Sequence, residues 1–415
     1  MCPRFSLLVC FASVLFACQS SDASKTTASE TTAGQQNPQE TNSTVATPVA
    51  SPNTTTAAAD PNHPSTGPLV RLLGRFDTTN PNQAIFAWPA SSMLTRVNGT
   101  GVSISLSDPN ATTYQGASVN NWYDVFVDGV KNNSFQIVSG TTNYTAVSGL
   151  TAGDHIIKVS KRTEAQMGPA IFGGFTPLAG GTLLPAPQAN ARRIEFIGDS
   201  ITAGYGADGN VSSSTGCAFT PKTEDADQTF ASMTAASLDA EYYAIGFSGK
   251  GIVQNDDCTG DAYYTLPVLY PSIIPVGSAA NANDAVFTSW IPQAVVINLG
   301  TNDYNEDNNC AVPSSANFTA AWVSFLKVVR GHYPSAAIFA TVGPELHAPN
   351  LAIAQANITS AVSQLKAAGD SNVFVLTLPE DTGANGYGCA GHPNSATHAA
   401  MAAVVTSAIK TQLAW

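Results

Sequence analysis

The chain has 415 residues, 44% hydrophobic and only 11% charged, which is enough for two ordinary domains with sizeable cores. Its formal charge is -12, with 17 Lys and Arg against 29 Asp and Glu and no run of basic residues. That excludes the electrostatic footprint of a nucleic-acid or anionic-membrane binder, and a neutral partner fits better.

Met1 to Ala17 carries one basic residue, Arg4, and then an apolar run from Phe5 to Ala17 that is too short to span a bilayer. It has the shape of a secretory signal. The run ends Leu15-Phe16-Ala17-Cys18, which resembles a bacterial lipobox and would make Cys18 a lipid-bearing first residue. A plain secretory signal with an incidental cysteine is the alternative. Either way the expected location is secreted or cell-envelope, and with the lipid an outer-membrane lipoprotein. Residues 19–67 are Ser, Thr, Ala, Asn and Pro with almost no large apolar side chain, so they read as a flexible tether.

Residues 68–186 read as an all-β sandwich. Short runs such as Ala84 to Trp88, Gly101 to Leu106, Trp122 to Val127 and His155 to Ser160 are punctuated by Gly, Asn and Asp. The run WYDVFVDG ends in Asp-Gly, a strong hairpin turn signal. Trp88, Trp122 and Tyr123 are expected in the core rather than on a sugar platform, and Arg162 and Glu164 at an interdomain surface.

From residue 190 to 415 strand-like and helical runs alternate, the sign of parallel βαβ units. Ile194 to Ile197, Glu241 to Ile245, Ala294 to Leu299, Ile338 to Val342 and Val373 to Leu376 read as five parallel strands. Phe230 to Leu238, Ala316 to Gly331, Leu351 to Ala368 and Asn394 to Gln412 read as helices. Ser200 then sits just past the first strand, on the rim where open α/β sheets bind ligands.

Four short blocks follow in order: GDSITAGYG from Gly198, GFSGKG over Gly246 to Gly251, LGTND over Leu299 to Asp303, and GCAGHPN over Gly388 to Asn394. Together they resemble the blocks of the SGNH, or GDSL, hydrolases. With GRFD at Gly74 to Asp77, KRTEA at Lys161 to Ala165 and GGF at Gly173 to Phe175, the resemblance narrows to carbohydrate esterase family 2. It implies a flavodoxin-like SGNH hydrolase three-layer sandwich preceded by a jelly-roll domain. The implied activity is removal of O-acetyl groups from plant polysaccharides through an acetyl-enzyme.

The resemblance places Ser200 as nucleophile, His392 as base, and Ser200, Gly249 and Asn302 as oxyanion donors, with Gly251 the alternative to Gly249. Singly, Ser200 also reads as a helix cap and Asn302 as a turn residue. Among six histidines, His63 lies in the tether, His155 in the sandwich and His398 within a helix, whereas His392 stands before Pro393 and the cap Asn394. Asp199 and Asp303 are expected to support these groups, and Tyr304 and Tyr387 to line a sugar subsite. No cofactor is expected, and no CxxC or Cys/His cluster suggests a metal.

Two departures stand out. The carboxylate that family members place two or three residues before this histidine is replaced by Cys389 and Ala390, so a Ser–His dyad with a backbone carbonyl accepting the imidazole N–H is expected; Glu380 or Asp381 is the alternative orienting group. The tryptophan often found immediately before the histidine is Gly391 here. Beyond the targeting segment lie Cys217, Cys258, Cys310 and Cys389, an even set that favours two disulfides. The expected pairs are Cys217 with Cys258 and Cys310 with Cys389, the second joining the Asn302 and His392 loops. The rival functions are a general short-chain carboxylesterase and a catalytically decayed surface glycan-binding protein.

Overall fold

A computed structural model describes residue 62 and residues 65–109, 112–114, 117–258, 264–275, 285–305 and 310–415. The signal-like segment with Cys18, and nearly all of the tether, lie outside these residues.

The first part of the fold is a sandwich of two antiparallel sheets. One runs in the order Val70–Leu73, Ser92–Gly99, Gly153–Lys161, Trp122–Val127, Val130–Gln136, and the other in the order Ala84–Phe86, Ala170–Pro177, Val102–Ser107, Asn143–Val147. Val102, Ile104 and Leu106 point into the core while the serines between them face outward, as period-2 alternation requires. The hairpin between Trp122–Val127 and Val130–Gln136 turns through Asp128 and Gly129, both at positive φ, which is the conformation an Asp-Gly turn supplies. Trp88 and Tyr123 are buried, and Trp122 is half-buried beneath Lys222.

The second part is a five-stranded parallel sheet in the order Ala240–Gly246, Arg192–Gly198, Ala294–Asn298, Ala337–Thr341, Val373–Val375. Its strands are apolar on both faces because both are covered. Ile197, Ile297 and Ala340 join the cluster that packs on helices Ser315–His332 and Asn350–Ala367, whereas Phe196, Val296 and Phe339 join the one under Phe230–Ser237 and Ser395–Leu413. These four helices end within one residue of the bounds read from the sequence. The chain order 2-1-3-4-5 reverses direction between Arg192–Gly198 and Ala294–Asn298. At such a switch point the following loops splay apart and leave a crevice at the carboxyl ends of the strands.

The two parts are joined by buried side chains rather than by surface contact alone. Arg75, from the sandwich, inserts its guanidinium over the Tyr270 ring (4.8 Å) and onto Glu195 of the first parallel strand (3.0 Å). Glu195 also accepts from Tyr270 Oη at 2.7 Å and Tyr333 Oη at 3.3 Å. Trp88 joins the hydrolase core and donates Nε1–H to the Ser272 carbonyl. Farther along the seam, Lys131, Lys158 and Arg162 of the sandwich meet Asp225, Asp227 and Asp208 of the α/β part at 2.9–3.0 Å. Asp124, Asp225 and Asp227 form an acidic cluster, and these cations neutralise it.

Removing one partner of a buried ion pair strands the other. Arg75→Met should therefore cost about 3–5 kcal/mol, read as a lower denaturant midpoint. An unchanged midpoint would contradict the anchoring role of Arg75.

Candidate active site

The first parallel strand ends at Gly198, where any side chain would collide with Thr202 Oγ1 and the Asn298 carbonyl. A glycine there lets the chain turn at once into the short helix Ser200–Ala203. Asp199 caps that helix, accepting from the Ile201 N–H at 3.1 Å, and its other oxygen faces Asn302 Nδ2 at 3.4 Å. Burial and the nearby Glu345 push the Asp199 carboxyl well above the usual carboxylate range. Ser200, the first helical residue, is 7% exposed.

The second and third blocks are tied to each other. Asp303 is buried and accepts the N–H groups of Ile252, Val253 and Gln254 at 2.9, 2.7 and 3.1 Å. Burial raises its pKa to about 6 against the pull of those three bonds. Gly249 has φ +75°, and a Cβ there would strike the Asp256 carboxylate, so the turn demands glycine. Asn302 gives one amide hydrogen to the Lys250 carbonyl at 3.0 Å. Its other hydrogen meets Asp199 at the longer distance, the weaker of the two bonds.

The histidine loop is fastened to the nucleophile loop along its length. Cys389 N–H donates to the Gly206 carbonyl, Ala390 N–H to the Cys217 carbonyl, and Val211 pairs with Tyr387. The disulfides correct the expected pairing. Cys217 joins Cys389, fastening the nucleophile-side loop to the histidine loop, and Cys258 joins Cys310, fastening the second block to the segment after the third. Chain order misleads here because the sheet reverses between its first and third strands, so the first and last site loops become neighbours.

His392 Nδ1–H donates to the Ala390 carbonyl at 3.2 Å. Ala390 reaches that position through a left-handed backbone, φ 55°. This leaves Nε2 as the basic nitrogen, and burial lowers the His392 pKa to about 4, partly opposed by the Ala390 carbonyl and by Glu164. The ring packs 4.5 Å from Tyr205, which stacks on Phe219 and shares a hydroxyl hydrogen bond with Tyr114 of the sandwich. Neither Glu380 nor Asp381 orients His392: Glu380 bonds His347 Nδ1 at 2.6 Å, and Asp381 accepts from Gly383 N–H.

Tyr304 is a further correction. It is buried, and its hydroxyl accepts from Asn357 Nδ2 in the core, so it lines no subsite. All three residues of the turn Asn302–Tyr304 are buried, and the tyrosine ring packs edge-on against Phe318. Tyr387 is half-buried, with its ring against Gly383. His398 lies in the core and accepts from the Phe230 N–H. Three groups went unnoticed in the sequence as site residues. Glu345, in the loop after the fourth strand, places Oε1 3.8 Å from His392 Nε2. Tyr205 packs on the base, and Ser248 is the point where the sandwich takes hold of the second block. Glu164 accepts both the N–H (2.7 Å) and the hydroxyl of Ser248, while Gln166 Nε2 donates to its carbonyl at 2.9 Å.

A strand-end serine, a carbonyl-held histidine and a donor loop, all at the switch point of a 2-1-3-4-5 sheet, define an α/β serine hydrolase of the GDSL class. The comparisons agree with this. Residues 196–400 match the GDSL-like lipase/acylhydrolase family model, and residues 72–187 match the carbohydrate esterase 2 N-terminal model. The chain is 36% identical over 349 residues to the cellulase/esterase CelE of Acetivibrio thermocellus, covering 84% of this chain but 40% of that longer protein. It is 24% identical over 362 residues to an acetylxylan esterase/glucomannan deacetylase of Cellvibrio japonicus, covering 87% and 92% of the two chains. A solved family two carbohydrate esterase from Clostridium thermocellum, in complex with cellohexaose, superposes with a TM-score of 0.75 at 35% identity, covering 83% of this chain and 99% of that one. The chain belongs to carbohydrate esterase family 2.

With its pKa lowered to about 4, His392 keeps its Nε2 lone pair at acidic pH. The acidic limb of kcat/KM for 4-nitrophenyl acetate should therefore lie well below the value of about 6.5 for an ordinary histidine. A limb at an ordinary histidine pKa would contradict the burial of the base.

Proposed function

We propose that the chain is a serine esterase that removes O-acetyl groups from plant-type polysaccharides such as xylan or glucomannan, with no cofactor. The observation that carries the reading is the match along nearly the whole of a solved family two esterase, sandwich and hydrolase together. In this reading Ser200 Oγ attacks the acetyl carbonyl carbon as its proton passes to His392 Nε2. The carbonyl oxygen becomes an oxyanion held by the Ser200 and Gly249 N–H groups and the Asn302 amide. The C–O bond to the sugar then breaks, and His392 returns the proton to the departing sugar oxygen. Water, deprotonated by the same nitrogen, cleaves the acetyl-serine; acetate leaves and Ser200 regains its proton.

The Ala390 carbonyl substitutes for the carboxylate that usually stands behind such a histidine. It fixes the tautomer and the ring plane, and it is a weaker stabiliser of the imidazolium than a carboxylate. The names of the relatives support a carbohydrate ester as substrate, since they include acetylxylan and glucomannan deacetylation. The leader ending at Cys18 and the tether after it support a secreted or envelope location, with a lipid anchor at Cys18 as the finer proposal.

The test is acetate release from acetylated xylan and glucomannan by residues 68–415, beside Ser200→Ala and a Glu380→Ala/Asp381→Ala double variant. Ser200→Ala should lose at least about 10³-fold, while the acidic variant keeps near wild-type turnover. Turnover of simple esters without release from any glycan would replace this reading with a general carboxylesterase, and no turnover at all with a glycan-binding protein.

A further inference from the structure

Glu345 is out of place for a surface residue of a loop. Its Oε1 is buried and has no hydrogen-bond partner, although it lies 3.8 Å from His392 Nε2. That distance is within reach of an ion pair but too long for a hydrogen bond. Its position is held from both sides. The Gly343 carbonyl accepts from Asn298 Nδ2 at 2.8 Å, and the Pro344 carbonyl accepts from the Asp381 N–H at 3.0 Å. The carboxyl is thus set against the reactive nitrogen by the third strand and by the loop after the fifth.

Burial, then the charge of Asp381, raises the Glu345 pKa to about 8, with His347 opposing. An orphaned buried carboxyl oxygen is costly, and native proteins keep such groups where a partner arrives during function. The group that arrives at His392 Nε2 is known from the chemistry: it is the sugar oxygen that leaves, and it must come within hydrogen-bond distance to be protonated. On a pyranose acetylated at a secondary ring position, a neighbouring ring carbon carries another hydroxyl. When the leaving oxygen is on Nε2, that hydroxyl lies one carbon away, and Glu345 Oε1, 3.8 Å from Nε2, is a buried acceptor there without a hydrogen-bond partner.

We propose that Glu345 is a specificity-determining residue that binds the free hydroxyl next to the acetylated position of the sugar. The proposal rests on the glycan-deacetylase reading above. A carboxylate accepts from this hydroxyl, and a protonated carboxyl accepts through one oxygen and donates through the other, so the contact survives either charge state. Glu345 then favours sugars with a free neighbouring hydroxyl over simple esters and over fully substituted rings. It does so by leaving its own oxygen unpaired when the hydroxyl is missing.

The experiment compares kcat/KM for wild type, Glu345→Ala and Glu345→Gln on three substrates: a mono-O-acetylated methyl xyloside with the neighbouring hydroxyl free, the same glycoside with that hydroxyl methylated, and 4-nitrophenyl acetate. The wild type should prefer the free-hydroxyl substrate over the methylated one by about 10- to 100-fold. Glu345→Ala should erase that preference. Glu345→Gln, which still offers an acceptor oxygen, should restore part of it. Equal losses on all three substrates would overturn the proposal, because Glu345 would then be acting on His392 itself. So would a preference that persists in Glu345→Ala, or a wild type indifferent to methylation; this last arm needs no variant to fold. A wild type inactive on every acetylated glycoside and glycan, yet active on 4-nitrophenyl acetate, would overturn the glycan reading and this proposal with it.

Discussion

Glu164 leaves the sandwich just after its strand Gly153–Lys161 and sets a buried carboxylate on the N–H and hydroxyl of Ser248, the residue before Gly249. Gln166, two residues later, holds the carbonyl of the same serine. Three polar groups of one residue in the donor loop are therefore satisfied by the other half of the molecule. A buried carboxylate is expensive unless its lone pairs are filled, and here the donor loop fills them. Beside it Glu224 is also buried, and burial, then the charge of Glu164, pushes the Glu224 carboxyl well above the carboxylate range. Lys161, buried nearby, completes the balance. The sandwich is in this sense a part of the catalytic rim.

The third-block and histidine loops hold no more than a single 3-10 turn each, and the site loops are fixed by separate ties. Asp303 gathers three consecutive N–H groups of the second block. Cys217–Cys389 and Cys258–Cys310 cross-link neighbouring loops covalently. Arg75 and Glu195 lock the halves together well below the rim. Such redundancy suits a site that must hold donors to fractions of an ångström without the stiffness of a strand or long helix. The His392 ring itself is held by a backbone carbonyl and aromatic packing rather than by a carboxylate. Burial keeps the imidazole neutral at low pH, and the Ala390 carbonyl and Glu164 favour its charged form.

Much of this could be read from the chain because periodicity and block order are local. The five parallel strands and four long helices follow from apolar runs and caps: Asn394, for instance, accepts the Ala396 and Thr397 N–H groups where a cap was expected. Asp128-Gly129 turned as its composition dictates. Relations across loops were another matter. The disulfide partners depend on the reversal of strand order, which no spacing reveals. Tyr304 follows Asp303 in sequence, yet the tight turn directs it into the core beside Asn357. Glu345 carries no motif at all, and only the fold brings the end of the fourth strand over the base. Arg162 and Glu164 lie between the halves, as expected of them; that Glu164 would take hold of Ser248 needed the structure.

The dependence of the donor loop on the sandwich is tested most directly by kcat for 4-nitrophenyl acetate in Glu164→Ala, with Ser248→Ala as a milder variant that removes one bond without emptying the buried acid site. The account predicts that the folded variants lose kcat, by about 10²-fold for Glu164→Ala on the scale of a lost oxyanion donor, with KM little changed. Folded variants with wild-type kcat would contradict it and reduce the sandwich to a packing partner.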